Sequence, residues 1–435
     1  NNRSLPIHKP IFYISIIYAN HKPFVYTNHS SSQHSSTQIN NLFRTSIIKM
    51  AEASAMKFVA MKTELNAELE EYTTFWDKSG IDHDNGGFMC SIGHDGICLS
   101  DEKFIWYQGR GLWVYSRLYR LHGRNPAHLT VARKAYDFLL TKFQTSTPGV
   151  FHVSTDGEGN CTREAEPISI STSGYGGAFA AEGMFEYFRA SNDITALNNA
   201  MVAFRVFAKL VDGDERVSDE SHYPHRFKGV RALGHQMIFI SLTRQVLEPP
   251  ALVSGEDLKW MTALNERTVG IVMDKFFNPE FNLLNEALAS DYSRPNDANE
   301  DFVYLGHGIE TLWMVAAEAV RRKNWDLYNQ AMARFKRHVE VATDQVYGGV
   351  FRGLSSVKNN TFLIDEDCKV KWAQDEVIVG CAMLIEHGRG ASFSETTPNT
   401  TDSDSAWGLR TLVKFREYLK EKFSLKKHGY DYWIV

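Results

Sequence analysis

The sequence predicts an all-α fold of helical hairpins, on three observations. From Met50 onward the apolar residues recur at helical spacing, Pro and Gly clusters punctuate them, and the connections alternate between short and long. Eleven helices follow, over 53–77, 104–122, 126–144, 171–190, 193–211, 230–247, 256–276, 305–322, 325–343, 370–387 and 403–424. Short connections at His122 to Pro126, Ala190 to Asp193 and Arg322 to Trp325, with an intermediate one at Leu247 to Glu256, join the two helices of a hairpin.

The long connections share a Gly-then-apolar signature: Gly86-Gly87-Phe88, Gly149-Val150-Phe151, Gly348-Gly349-Val350-Phe351 and Gly429-Tyr430-Asp431-Tyr432-Trp433. Each predicts a short hairpin strand entered by a turn. Helices starting near 104, 171, 230, 305 and 370 each follow a long loop and recur about every 60 to 75 residues, as stacked two-helix units do. These five are the expected inner helices. A closed ring of six hairpins would place a sixth after residue 435, so a C-terminal truncation is expected. An open solenoid is the alternative. A ring is favoured because polar residues able to do chemistry recur in the first turns of the inner helices, where closure would make them converge.

A formal charge of −5, with 43% hydrophobic and 23% charged residues, describes a globular chain without a basic surface for nucleic acid or an anionic membrane. The five cysteines, Cys90, Cys98, Cys161, Cys368 and Cys381, have neither CxxC nor Cys/His ligand spacing, which argues against a disulfide framework or zinc site and for a reducing compartment. Residues 1–49 contain no Asp or Glu, and their apolar run Ile11 to Tyr18 is too short to span a bilayer. They are read as a disordered or transit-like leader before a single domain over 50–435, with a cytoplasmic location expected, or an organellar one if the leader is a transit peptide. Sequons at Asn2, Asn28, Asn160, Asn359 and Asn399 carry little weight, because the motif arises often by chance.

The residues able to do chemistry are Arg110 in Trp106-Tyr107-Gln108-Gly109-Arg110, Glu182, His235 in Leu233-Gly234-His235-Gln236, His307 with Glu310, and Gln374 with Glu376. At i and i+3, His307 and Glu310 share a helix face. The positive end of the helix dipole helps to hold His307 neutral, and a neutral imidazole is a base. Removing the proton beside a sugar carbonyl needs such a base, plus a cation or donor for the enediolate oxygen. Arg110 is the candidate donor, and Glu310 would orient His307 or grip a hydroxyl. The plainer readings make His307 a cap or core residue, Ile309 and Trp313 a core stripe, and Arg110 an ion-pair partner of Glu376.

Four segments in order resemble one known family. They are Trp106-Tyr107-Gln108-Gly109-Arg110-Gly111-Leu112-Trp113, Arg231-Ala232-Leu233-Gly234-His235, Gly306-His307-Gly308-Ile309-Glu310-Thr311-Leu312-Trp313 and Lys371-Trp372-Ala373-Gln374-Asp375-Glu376. From about Thr74 to its end the chain resembles the N-acylglucosamine 2-epimerase family, which implies an (α/α)6 barrel and proton transfer at C2 of an open-chain aldose through an enediolate. By matching position the resemblance makes His307 an acid/base histidine with Glu310 beside it, sets Arg110 on the substrate oxygens, and makes His235, Glu376, Gln374 and Trp106 sugar contacts. Glu182 has no counterpart.

The family's second acid/base histidine belongs to a segment beyond Val435, so poor epimerase activity of this polypeptide is expected, with aldose-ketose isomerisation less affected. A mannose-type isomerase, an α/α-barrel glycoside hydrolase using Glu310 and Glu376, and a non-catalytic sugar- or protein-binding homologue are the alternatives. A small sugar is the expected partner, with no cofactor, metal, nucleic acid or membrane, and with a homodimer as the candidate assembly.

Overall fold

A computed structural model of the chain describes residues 60–431 apart from 62, 94, 167, 214–229, 297–299, 358–360, 389–403 and 426–429. The leader over 1–49 and the sequons at Asn2, Asn28, Asn359 and Asn399 lie outside the described residues, whereas Asn160 stands exposed in a turn. The described residues form eleven helices. These are α1 (63–79), α2 (Ile105–Leu121), α3 (Pro126–Phe138), α4 (Tyr175–Ser191), α5 (Ile194–Asp212), α6 (Leu233–Leu247), α7 (Gly255–Gly270), α8 (Leu305–Arg322), α9 (Trp325–Ala342), α10 (Lys371–His387) and α11 (Asp404–Lys422).

Helices α2, α4, α6, α8 and α10 pack side by side as an inner layer, each backed by the helix that follows it. The composition of each layer explains its place. In α6 every residue except Arg244 is buried, as befits a helix apolar on all sides. In α9 the buried residues Tyr328, Ala331, Met332, Phe335, Val339 and Ala342 form one stripe, and the opposite face is polar. By length and composition α5 is apolar enough to cross a bilayer, but Ala196, Ala200, Ala203, Phe204 and Phe207 bury its inner face. On the outer layer, α1 reaches both flanking helices. Tyr115 of α2 donates a 2.7 Å hydrogen bond to Asp77, and Arg416 of α11 grips both oxygens of Glu68.

Outer helices α3, α5 and α9 are capped by Asn125, Asp193 and Asn324, whose side chains accept from N–H groups of the first turn. By contrast, α2, α6, α8 and α10 start without a side-chain cap, from extended residues Phe104, Ala232, Tyr304 and Val370. The first N–H groups of α2, α6 and α8 donate instead to the backbone carbonyls of Val153, Glu286 and Arg352.

Three boundaries differ from the sequence reading. The helix expected from 230 begins at Leu233, because Val230–Ala232 pairs antiparallel with Ala287–Ala289. The helix expected from 171 begins as a wider π-type turn over Ile170–Gly174, and similar turns end α3 and α7. Three of the Gly-then-apolar signatures form single bridges, Ile81 to Phe88, Gln144 to Phe151 and Thr343 to Val350, whereas Tyr430–Asp431 pairs with Ser424–Leu425. A three-stranded antiparallel sheet of Phe302–Tyr304, Gly353–Val357 and Thr361–Glu366 was not foreseen.

The first and third signatures are one device built twice. Asp82 accepts from the N–H groups of Asp84 and Asn85, and Asp344 from those of Val346 and Tyr347. Their second oxygens take Lys103 at 2.7 Å and Lys369 at 2.8 Å. Five residues after each lysine, a glutamine amide clips the loop backbone, Gln108 onto Phe88 and Gln374 onto Val350. Burial pushes the Asp82 carboxyl up, but Lys103 and the groups of Asn85 outweigh it and hold it below its usual range. Each clip ties the loop before an inner helix to that helix's first turn, which sets the height of the rim.

Candidate active site

His307 is the third residue of α8 and His235 the third of α6, both within a Leu-Gly-His start. Adjacent inner helices in the same register bring them together. A Cβ on Gly234 would lie 3.3 Å from Cε1 of His307 and 2.8 Å from the Tyr175 hydroxyl, so only glycine lets α6 come this close. Gly306 plays the same part on the other side, because a Cβ there would meet the Trp372 ring at 2.4 Å. The His307 ring sits edge-on to Tyr304 with centroids 4.5 Å apart, and 5.6 Å from Trp372.

Around the rim the order is Arg110 on α2, Phe179 and Tyr175 on α4, His235 on α6, His307 on α8 and Trp372 on α10. The Arg110 guanidinium lies 3.9 Å from the Phe179 ring centre, Phe179 stacks on Tyr175, and Tyr175 is 5.1 Å from the His235 ring. Arg110 is half-buried and has no carboxylate partner among the described residues, so the ion pair with Glu376 is not formed. Trp106 lies one turn before Arg110, half-buried and stacked on Phe104 at 5.2 Å.

Burial, then the carboxylates of Glu286 and Glu310, push the Tyr175 hydroxyl well above its ordinary range, so it stays protonated. Burial, helped by His307 and Arg231, pushes His235 down to about 4, so it is neutral at pH 7. His338, in the wall behind α8, is also pushed down to about 4 by burial. It donates from Nδ1 to the Arg334 carbonyl and accepts at Nε2 from the Leu284 N–H at 2.9 Å, so a second proton has no acceptor.

For a group depressed in the folded state, stability is present above the unfolded value near 6.5 and is lost as pH falls toward 4. His338 alone should remove about 2 kcal/mol of stability between pH 7 and pH 5. Urea unfolding at the two pH values checks this, and His338→Gln should remove that share of the difference, leaving the like contribution of His235.

Several sequence expectations are revised. The hydrogen-bond partner of His307 is not Glu310 but Glu286, whose Oε1 lies 2.9 Å from Nδ1. No sequence signal beyond a lone carboxylate in the apolar run Phe281 to Leu288 pointed to it. Gln374 is fully buried with its amide given to Val350 and Val370, so it holds the loop rather than meeting a sugar. One oxygen of Glu376 accepts from the buried Trp313 indole at 2.8 Å, which ties α8 to α10. Glu182 lies two turns beyond Tyr175 and accepts from Ser241 at the α4–α6 contact. Apart from this site, His152, Cys161 and Glu164 have ligand atoms within 4.8 Å of one another, with His152 Nδ1 2.8 Å from Glu164, but Cys161 and Glu164 are exposed.

Comparison with known proteins identifies the family and the fold. Residues 86–407 match the family model described as N-acylglucosamine 2-epimerase (GlcNAc 2-epimerase). The chain is 31% identical over 374 residues to the N-acylglucosamine 2-epimerase of Bos taurus, covering 85% of this chain and 82% of that protein. It is 32% identical over 390 residues to the cellobiose 2-epimerase of Bacteroides fragilis, covering 86% and 91%. Among solved structures, cellobiose 2-epimerase from Bacillus thermoamylovorans matches with a TM-score of 0.64 at 19% identity over 86% of this chain and 91% of its own. A D-mannose isomerase matches with 0.65 at 17% identity, over 86% and 90%. The two structures share its α/α-barrel fold, and with the family match and the bovine and bacterial relatives they lead to one conclusion: the chain belongs to the N-acylglucosamine 2-epimerase family.

Proposed function

We propose that the chain is a sugar 2-epimerase acting on the open-chain form of an N-acylglucosamine, an N-acylmannosamine or a related aldose. The reading rests most on His307. Its Nδ1 is engaged by Glu286, its Nε2 has no hydrogen bond among the described residues, and its ring is 18% exposed on a rim shared with the unpaired Arg110. An imidazole with one occupied and one open nitrogen is suited to take a proton from C2. Arg110 would meet the enediolate oxygen as charge develops, with Phe179 holding the guanidinium flat. Glu310 would grip a hydroxyl, and Trp106, on the Arg110 face, would pack against the sugar.

Protonation of C2 from the opposite face by a second acid gives the epimer, whereas delivery of the His307 proton to C1 gives the ketose. The naming of the bovine and bacterial relatives as 2-epimerases favours the first outcome. The test is loss of the C2–H signal by NMR in heavy water with N-acetylmannosamine, cellobiose, mannose and glucose. Exchange at C2 of at least one aldose is expected, and its absence from all four would overturn the reading.

A further inference from the structure

We infer that Glu286 is the positioning residue for His307, holding the proton on Nδ1 and turning Nε2 outward as the base. The inference rests on the reading of His307 given under Proposed function. Its starting point is how firmly Glu286 is placed. Its backbone N–H donates to Phe302 and its carbonyl accepts from Leu233, both at 2.9 Å, so it is tied at once to the start of α6 and to the strand entering α8. The residue is 2% exposed, and its Oε2 has no hydrogen bond among the described residues.

A buried carboxylate with one oxygen bare is costly, and among the described residues His307 is the one side chain hydrogen-bonded to it. Burial pushes the Glu286 carboxyl up, while His307 and the Gly234 N–H pull it back, so the charge depends on this contact. When the carboxylate accepts from Nδ1–H, the lone pair of the imidazole is left on Nε2. Tyr304 and Trp372 then fix the ring plane.

His235 provides the internal comparison. It occupies the same third position in α6 and has the same Leu-Gly-His start, yet no hydrogen bond reaches its ring among the described residues. Two like histidines are thus set apart by one carboxylate: the one beside Glu286 has its ring oriented by a hydrogen bond, and the other is a buried neutral ring. Carboxylate partners of metal-ligating imidazoles fix the tautomer and their loss costs about 10–100-fold, and the same scale is expected for this imidazole.

The test uses the full chain labelled with ¹⁵N-histidine. Imidazole nitrogen shifts, assigned to His307 by comparison with His307→Asn, should show the Nδ1–H form. Glu286→Gln should lower kcat about 10–100-fold with little change in KM. It should also move the acid limb of the pH–rate profile to lower pH, because the imidazolium loses its counter-charge. Glu286→Asp should recover part of both, which a purely structural carboxylate would not require.

A His307 resonance with its proton on Nε2 would overturn the inference whether or not the variants fold. So would a folded Glu286→Gln whose kcat and profile match the unsubstituted enzyme. If no aldose exchanges at C2, the functional reading falls instead, and the tautomer measurement alone decides whether Glu286 holds the ring.

Discussion

Replacing His307 with Asn is expected to lower kcat for exchange at C2 by about 10²–10⁴-fold, the range for removing a general base. Asn is the informative choice, because its amide nitrogen can still donate to Glu286 from near the place of Nδ1, which lies 2.9 Å from Oε1. The buried carboxylate then keeps a partner and the fold is preserved, while nothing replaces Nε2. KM should change little if His307 acts on the proton rather than on ground-state binding. The check is steady-state kinetics beside a thermal melt: a folded His307→Asn protein that still exchanges C2–H at the original rate would remove His307 from the mechanism.

The largest effect on stability is expected at Lys103. Its ammonium is fully buried and is held by Asp82 at 2.7 Å and by the carbonyls of Gly86 and Gly157 at 2.8 and 2.9 Å. Lys103→Met keeps the apolar stem and the contact with Phe138, but leaves Asp82 charged, 6% exposed and unpaired. Breaking a buried pair from one side costs about 3–5 kcal/mol. Adding Asp82→Asn should restore part of that loss, because the desolvated charge is gone. The matching pair, Lys369 and Asp344, is 11% and 8% exposed, so Lys369→Met should cost less. Urea unfolding of the three variants decides this, and equal midpoints for Lys103→Met and the unsubstituted chain would contradict it.

What was legible in the sequence depended on periodic burial. The stripe of α9 and the capped starts at Asn125, Asp193 and Asn324 place helices by local rules, so their number and order could be read without contacts. The candidate histidines were legible for a related reason: Leu-Gly-His occurs at two inner-helix starts, and the glycine marks a close approach. The side on which a buried polar residue spends its hydrogen bonds was not legible. Gln374 and Glu376 lie in the same first turns as a sugar contact would, yet Gln374 is spent on Val350 and one oxygen of Glu376 is held by Trp313. The start of α6 was misplaced because residues 230–232 are held by a strand more than fifty residues away, a pairing with no local signature.

The amino-acid sequence by itself determined that this chain is a series of helical hairpins with histidines and an arginine at the starts of its inner helices. Those features follow from propensity, burial pattern and chain punctuation within a few turns. Only the tertiary structure decided which carboxylate faces His307, that Arg110 stands unpaired on Phe179, and that the glutamine of each repeated loop is a clip. Such assignments depend on which distant backbone groups are brought within hydrogen-bond reach. An interaction lost beyond about 3.5 Å is set by the packing of whole helices rather than by neighbours in the chain.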